Sequence, residues 1–224
     1  MLDNKTFKEM FKIDVPKGVL FYPCSGSDTY EPISLFIDSV DEFHFTDINE
    51  EELRLPTLEV KDSKVSSIDG SLNLGAFLRK NLELDLGSLT IPTRGEKHIW
   101  TLEGEDSRSI EIYKHFLDGA VTLMSLEDIS VFFYRRDTSK IDGSGQWWMG
   151  KDLLEILVEK MVDGGIILTD GSDPNPEEWN RPWRSLLYTS EDKESFRYFN
   201  REFEYIGEIN SDIRKVHAWR VNKY

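Results

Sequence analysis

A chain of 224 residues, 39% of them hydrophobic, is long enough for one sizeable α/β core. Its 42 acidic and 27 basic side chains give a net charge of −15, which opposes non-specific binding to nucleic-acid phosphates and to anionic membranes. No apolar run approaches the ~20 residues that a bilayer requires, and the charged start from Met1 to Lys12 lacks the apolar centre of a signal peptide.

Residues 3–13 predict a short amphipathic helix with Phe7, Met10 and Phe11 on one face, broken by Pro16 and Gly18. Val19 to Tyr22 is a continuously apolar strand, as expected of a strand covered on both faces. The turn that follows, Pro23-Cys24-Ser25-Gly26-Ser27-Asp28, is rich in small residues. Cys24 is the only cysteine, so an intrachain disulfide is excluded and a cytoplasmic protein is expected. Asp28 or Thr29 can cap a helix that carries Glu31 and Pro32 in its first turn and buries Ile33, Phe36, Ile37 and Val40. Phe43 to Phe45 is a second strand, ended by Asp47.

Residues 54–95 are the least legible. Ser63 to Leu74 reads as polar and turn-rich, Leu74 to Leu82 as a helix and Leu84 to Ile91 as extended, so an insertion or cap fits, as does a long connection. His98 to Leu102 and Ser109 to Tyr113 read as strands, and part of Tyr113 to Leu126 as helix. Asp128 to Tyr134 is a strong buried strand. It runs into Arg135-Arg136-Asp137 and a glycine-containing loop around Trp147-Trp148.

Lys151 to Val162 has the clearest helical stripe, Leu154, Leu157, Val158 and Met161, with Gly164-Gly165 as its stop. Ile166 to Thr169 is a buried strand. After a loop rich in Asp, Pro, Trp and Arg, the spacing predicts a helix from about Glu191 to Arg201. Phe203 to Ile209 and Val216 to Val221, joined by a short turn, form an antiparallel pair. With no repeat or linker in sight, one domain over 1–224 is the economical reading, with the insertion or cap at about 54–95.

The order of strand, small-residue turn, helix and acid-ended strand, then helix–Gly164-Gly165–strand and a closing antiparallel pair, resembles the class I S-adenosylmethionine-dependent methyltransferases. That resemblance implies an α/β, Rossmann-like three-layer sandwich with a mostly parallel sheet. It implies S-adenosylmethionine as cofactor, with Tyr22, Pro23, Cys24, Ser25, Gly26 and Asp28 around its methionine end. Asp47 would take the ribose; it lies 21 residues beyond Gly26, near the ~20 expected of a ribose acid. Of the family's usual glycines only Gly26 stands in the turn. The acceptor side falls on Arg135, Arg136, Asp137, Trp147 and Trp148.

Each position also has a plainer reading. Asp47 fits the N-cap of a following helix. Arg135 and Arg136 fit surface ion pairs. One of the two adjacent tryptophans fits core packing. His44, His98, His115 and His217 show no metal-site spacing, so no metal is expected. The function implied is methyl transfer to an unidentified acceptor, with a small molecule as the candidate. The alternative is a methyltransferase-fold binding protein that has lost the chemistry.

Overall fold

The structure is a computed structural model and describes residues 5–73, 90–103, 107–135, 148, 151–170, 195–210 and 215–224. Its strands are β1 (Val19–Tyr22), β2 (Glu42–Thr46), β3 (Val60–Asn73), β4 (Thr90–Leu102), β5 (Ser109–His115), β6 (Ile129–Tyr134), β7 (Met161–Thr169), β8 (Phe196–Tyr198), β9 (Arg201–Asn210) and β10 (Lys215–Lys223). The helices are α1 (Phe7–Phe11), α2 (Tyr30–Phe36), α3 (Gly119–Ser125) and α4 (Lys151–Lys160). No helix among the described residues is long and apolar enough to cross a membrane.

All ten strands form one mixed sheet in the order β3-β4-β5-β2-β1-β6-β7-β10-β9-β8. The central five, β5-β2-β1-β6-β7, are parallel. Every outer pairing is antiparallel. The sheet is therefore a parallel centre between two antiparallel wings, rather than mostly parallel. The expected C-terminal pair is present as β9 and β10. It adds to the sheet through β10, which lies antiparallel to β7.

Alternation along the central strands feeds two cores. Leu20 and Tyr22 of β1 join Val131 and Phe133 of β6, and Ile33 and Phe36 of α2, on one face. Phe21, Phe132 and Ile167 meet Leu123 of α3 and Leu154, Leu157 and Val158 of α4 on the other. Strands apolar at every position need both faces covered, and the helices supply the covers. Parallel pairing of β1 with both β2 and β6 puts the carboxyl ends of the three strands side by side at one rim.

Four local expectations are corrected. Residues 63–73, read as turn-rich, are a strand paired with β4 from Val60↔Leu102 to Asn73↔Thr90. Helix α4 ends at Lys160 rather than Val162, because Met161 already pairs with Ile129 of β6. Gly164, at φ +75°, lies in the bulge where the register slips between the Ile129↔Met161 and Val131↔Ile166 pairs. Residues 196–201, read as the end of a helix, are β8, a tight turn and the start of β9. Phe199 and Asn200 both take positive φ there, the geometry of a two-residue hairpin, and Phe196 stacks on Phe203 with centroids 4.7 Å apart. The helix read at 74–82 lies outside the described residues.

Candidate functional site

In an open α/β sheet, ligands settle at the carboxyl ends of the strands where the strand order reverses. Here the order reverses at β1, which has β2 on one side and β6 on the other. The turn after β1 is tied to both neighbours.

Toward β2 the ties are backbone-led. The Ser25 N–H donates to the Thr46 carbonyl (3.0 Å), and the Cys24 N–H to Thr46 Oγ1 (3.4 Å). The Gly26 N–H donates to Asp47 Oδ2 (3.1 Å), while Asp47 Oδ1 accepts from the Asn49 N–H (2.8 Å). Cys24 and Gly26 sit at φ +52° and +49°. A Cβ on Gly26 would meet only Asp47 Oδ2, at 3.8 Å, so backbone conformation rather than crowding selects glycine. Pro23 is buried against the start of α3. A Cβ on Gly119 would lie 2.8 Å from both the Pro23 Cβ and Trp148 Cζ2.

Toward β6 the ties are ionic and buried. Arg135 is 3% exposed; its Nε and one terminal nitrogen fork onto Asp28 (2.5 and 2.6 Å), and the other terminal nitrogen pairs with Glu31. The Tyr22 hydroxyl donates to Asp28 Oδ2 (2.9 Å) and lies 3.2 Å from the Arg135 carbonyl. Burial raises the Tyr22 phenol well above its ordinary value, helped by the Asp28 charge, so it stays a donor. Burial pulls the Arg135 guanidinium down, but hydrogen bonding and charge from Asp28, with the Glu31 charge, leave it raised overall. Arg135 is thus neither a surface ion pair nor free for an acceptor: it clamps the β1 turn to the end of β6.

Trp148 is fully buried against Phe21, Phe132 and Tyr134, so it packs in the core and does not line an open pocket. Arg136, Asp137 and Trp147 lie outside the described residues. The structure brings together Tyr22, Pro23, Cys24, Ser25, Gly26, Asp28 and Asp47, and adds Thr46, Glu31 and Gly119. Glu31 reads in sequence only as an acid in a helix's first turn, and no local signal points to Thr46 or Gly119.

The histidines are less scattered than their spacing suggests. Parallel pairing of β2 and β5 sets His44 beside Tyr113 and near His115. His44 Nδ1 and His115 Nε2 share a hydrogen bond of 2.8 Å, and His44 Nε2 meets Glu42 Oε1 at 2.6 Å. Burial, then the His44 charge, pushes His115 down to about 3. Among the described residues no group of three or more His, Cys, Asp or Glu could hold a metal ion.

No protein-family model matches the chain, and no curated protein matches it. Among solved structures it is similar to Trm1 from Pyrococcus horikoshii in complex with S-adenosyl-L-methionine, at 10% identity and a TM-score of 0.42. The match covers 97% of this chain and 52% of that one, so the chain spans about half the length of that protein.

Proposed function

We propose that the chain is an S-adenosylmethionine-dependent methyltransferase acting on an unidentified acceptor, built as one methyltransferase-like domain over 1–224 with the β3–β4 ribbon as its insertion. The observation that carries this reading is the Gly26 N–H bond to Asp47 across the carboxyl ends of two adjacent parallel strands, beside the reversal of strand order. That geometry fits a nucleoside with a flexible polar arm. The Asp47 carboxylate has about four lone-pair directions. It can keep its bonds to Gly26 and Asn49 and still accept from the two ribose hydroxyls. The half-buried, left-handed Gly26 lets the methionine portion approach the backbone.

The cofactor supplies a methyl group already activated on a sulfonium. The protein's contribution is then alignment of the acceptor with that methyl, with a base needed only where the acceptor holds a proton on the attacking atom. Tyr22, Pro23, Cys24, Ser25 and Asp28 shape the turn, with Arg135 holding it. On this reading the acceptor side falls to Arg136, Asp137, Trp147 and the loop beyond Asp170, which lie outside the described residues.

A second reading has its own support. Tyr22, 1% exposed, spans from β1 to Asp28 and Arg135 at the place where a ligand would enter between β1 and β6. A fold that has filled this crevice serves as a binding module instead.

Calorimetric titration with S-adenosylmethionine and S-adenosylhomocysteine separates the two. Binding that weakens in Asp47→Ala supports the methyltransferase. Absence of heat at millimolar ligand removes it and leaves the binding module.

A further inference from the structure

The two edges of the sheet are unlike. At one, β8 has only 3 residues, a common way of keeping an edge from pairing with another chain. At the other, β3 runs for 14 residues without proline, and among the described residues no strand covers its outer edge. Nearly all of β3 is exposed, and Val65 at 60% is one of few large apolar side chains left in solvent. In a chain of net charge −15, this strand is neutral: Lys61 and Lys64 balance Asp62 and Asp69. It is therefore a surface that adds no local charge repulsion when two copies of an acidic chain approach.

We propose that β3 is a homodimer interface, in which two copies pair antiparallel about a two-fold axis through Val65 and continue the sheet from one copy into the other. The register follows from two constraints. Alternate residues of a strand turn their backbone groups to opposite edges, so residues that face each other across such an axis must both be odd or both be even in number. Opposed side chains must also suit each other. An axis through Val65 sets Val65 against Val65 and Ser63 against Ser67. Counted along the strand, it brings Lys61, which lies in the bulge between the Val60↔Leu102 and Asp62↔Thr101 pairs, near Asp69 of the second copy, twice by symmetry. An axis through Lys64 would oppose the two Lys64 side chains, one through Ser66 would set Ser63 against Asp69 and Lys64 against Ile68 with no ion pair, and one through Ser63 would pair Lys64 with Asp62 but set Val65 against Lys61. Among the described residues Lys61 Nζ lies 3.5 Å from Ser107 Oγ and Lys64 Nζ 3.8 Å from Asp62, both exposed contacts that are readily exchanged.

The test is light scattering on the full chain from micromolar to millimolar concentration, with cross-linking to read the register. The expected mass at high concentration is about twice the chain's 26.1 kDa. Val65→Arg, which places like charges on the axis, returns it to one chain mass. Lys61→Glu does the same, and adding Asp69→Lys restores the dimer. In a Cys24→Ser background, Val65→Cys forms an intermolecular disulfide and Ser66→Cys does not. A chain that stays at one mass throughout overturns the proposal. So does a dimer that survives both Val65→Arg and Lys61→Glu, or equal cross-linking through Cys at 66. All substituted β3 positions are exposed or edge-facing, and circular dichroism checks that each variant keeps the fold.

Discussion

The rim of the parallel centre and the β3–β4 ribbon are held by different forces. At the rim, Tyr22, Phe21, Phe132 and Phe133 are buried, and a guanidinium, two carboxylates and a phenol share a buried network. In the ribbon, β3 has almost no buried residue and is held chiefly by its ladder with β4. The ribbon is nevertheless anchored to the rim's neighbourhood. Arg94 pairs with Glu50, three positions beyond Asp47, and the Phe116 N–H donates to the Arg94 carbonyl (2.9 Å). Strand formation thus has two routes here, burial and pairing, and only the first couples backbone position to a buried charge.

Substitutions at the two regions should differ by several kcal/mol. The largest effect is expected at Arg135. Arg135→Met leaves the buried Glu31 and the half-buried Asp28 without their cation, and should destabilise the fold by ~3–5 kcal/mol in urea denaturation. Asp28→Asn added to it should cost less than the sum of the two single changes, because both belong to one network. Equal additive losses would mean that the network does not act as a unit.

Next comes acid sensitivity. His115 is held down to about 3 by burial and the His44 charge, so the folded state binds this proton less readily than the unfolded chain does. The stability that follows is fully present above the unfolded value of about 6.5 and is lost as pH falls from there toward about 3. Denaturation midpoints compared at neutral and mildly acid pH should show that slope, and His115→Gln should flatten it. An unchanged slope would place the sensitivity elsewhere.

Gly26→Ala forces a side chain into a left-handed conformation and should cost ~1 kcal/mol, with a larger loss in cofactor titration than in stability. Smallest of all, Ser66→Ala on the exposed ribbon should change monomer stability by no more than ~0.5 kcal/mol. A loss comparable to that at Arg135 would contradict the view that β3 is held chiefly by its ladder.

The same division explains what could be read from the chain. Val19–Tyr22 and Ile129–Tyr134 are legible as strands because each residue is apolar, aromatic or small and both faces are covered. The stripe Leu154, Leu157, Val158 and Met161 marks a buried face correctly, but not where helix gives way to strand, since Met161 serves the core in either conformation. β3 is illegible: Lys, Asp and Ser alternate with no apolar face, and its partner begins in another part of the chain. Phe196 and Phe199 satisfy helical spacing, and the hairpin is selected by pairing of β8 with β9, with Phe196 stacked on Phe203 and in edge contact with Trp219.

Within the site, Tyr22 to Asp28 and Asp47 are legible because a small-residue turn and a strand-ending acid are local patterns. The clamp is not. Arg135 stands 107 residues from Asp28, and nothing near either residue announces the other. By itself the sequence determined the alternating α/β order, the central strands and the place of the turn, since hydrophobic runs and small residues act over a few positions. Only the tertiary structure decided that Arg135 is a buried clamp, that Trp148 is core, that His44 and His115 share a hydrogen bond, and that a polar segment becomes the sheet's longest edge. Each of these depends on which strands lie side by side, and strand pairing is settled by long-range packing rather than by neighbours in the chain.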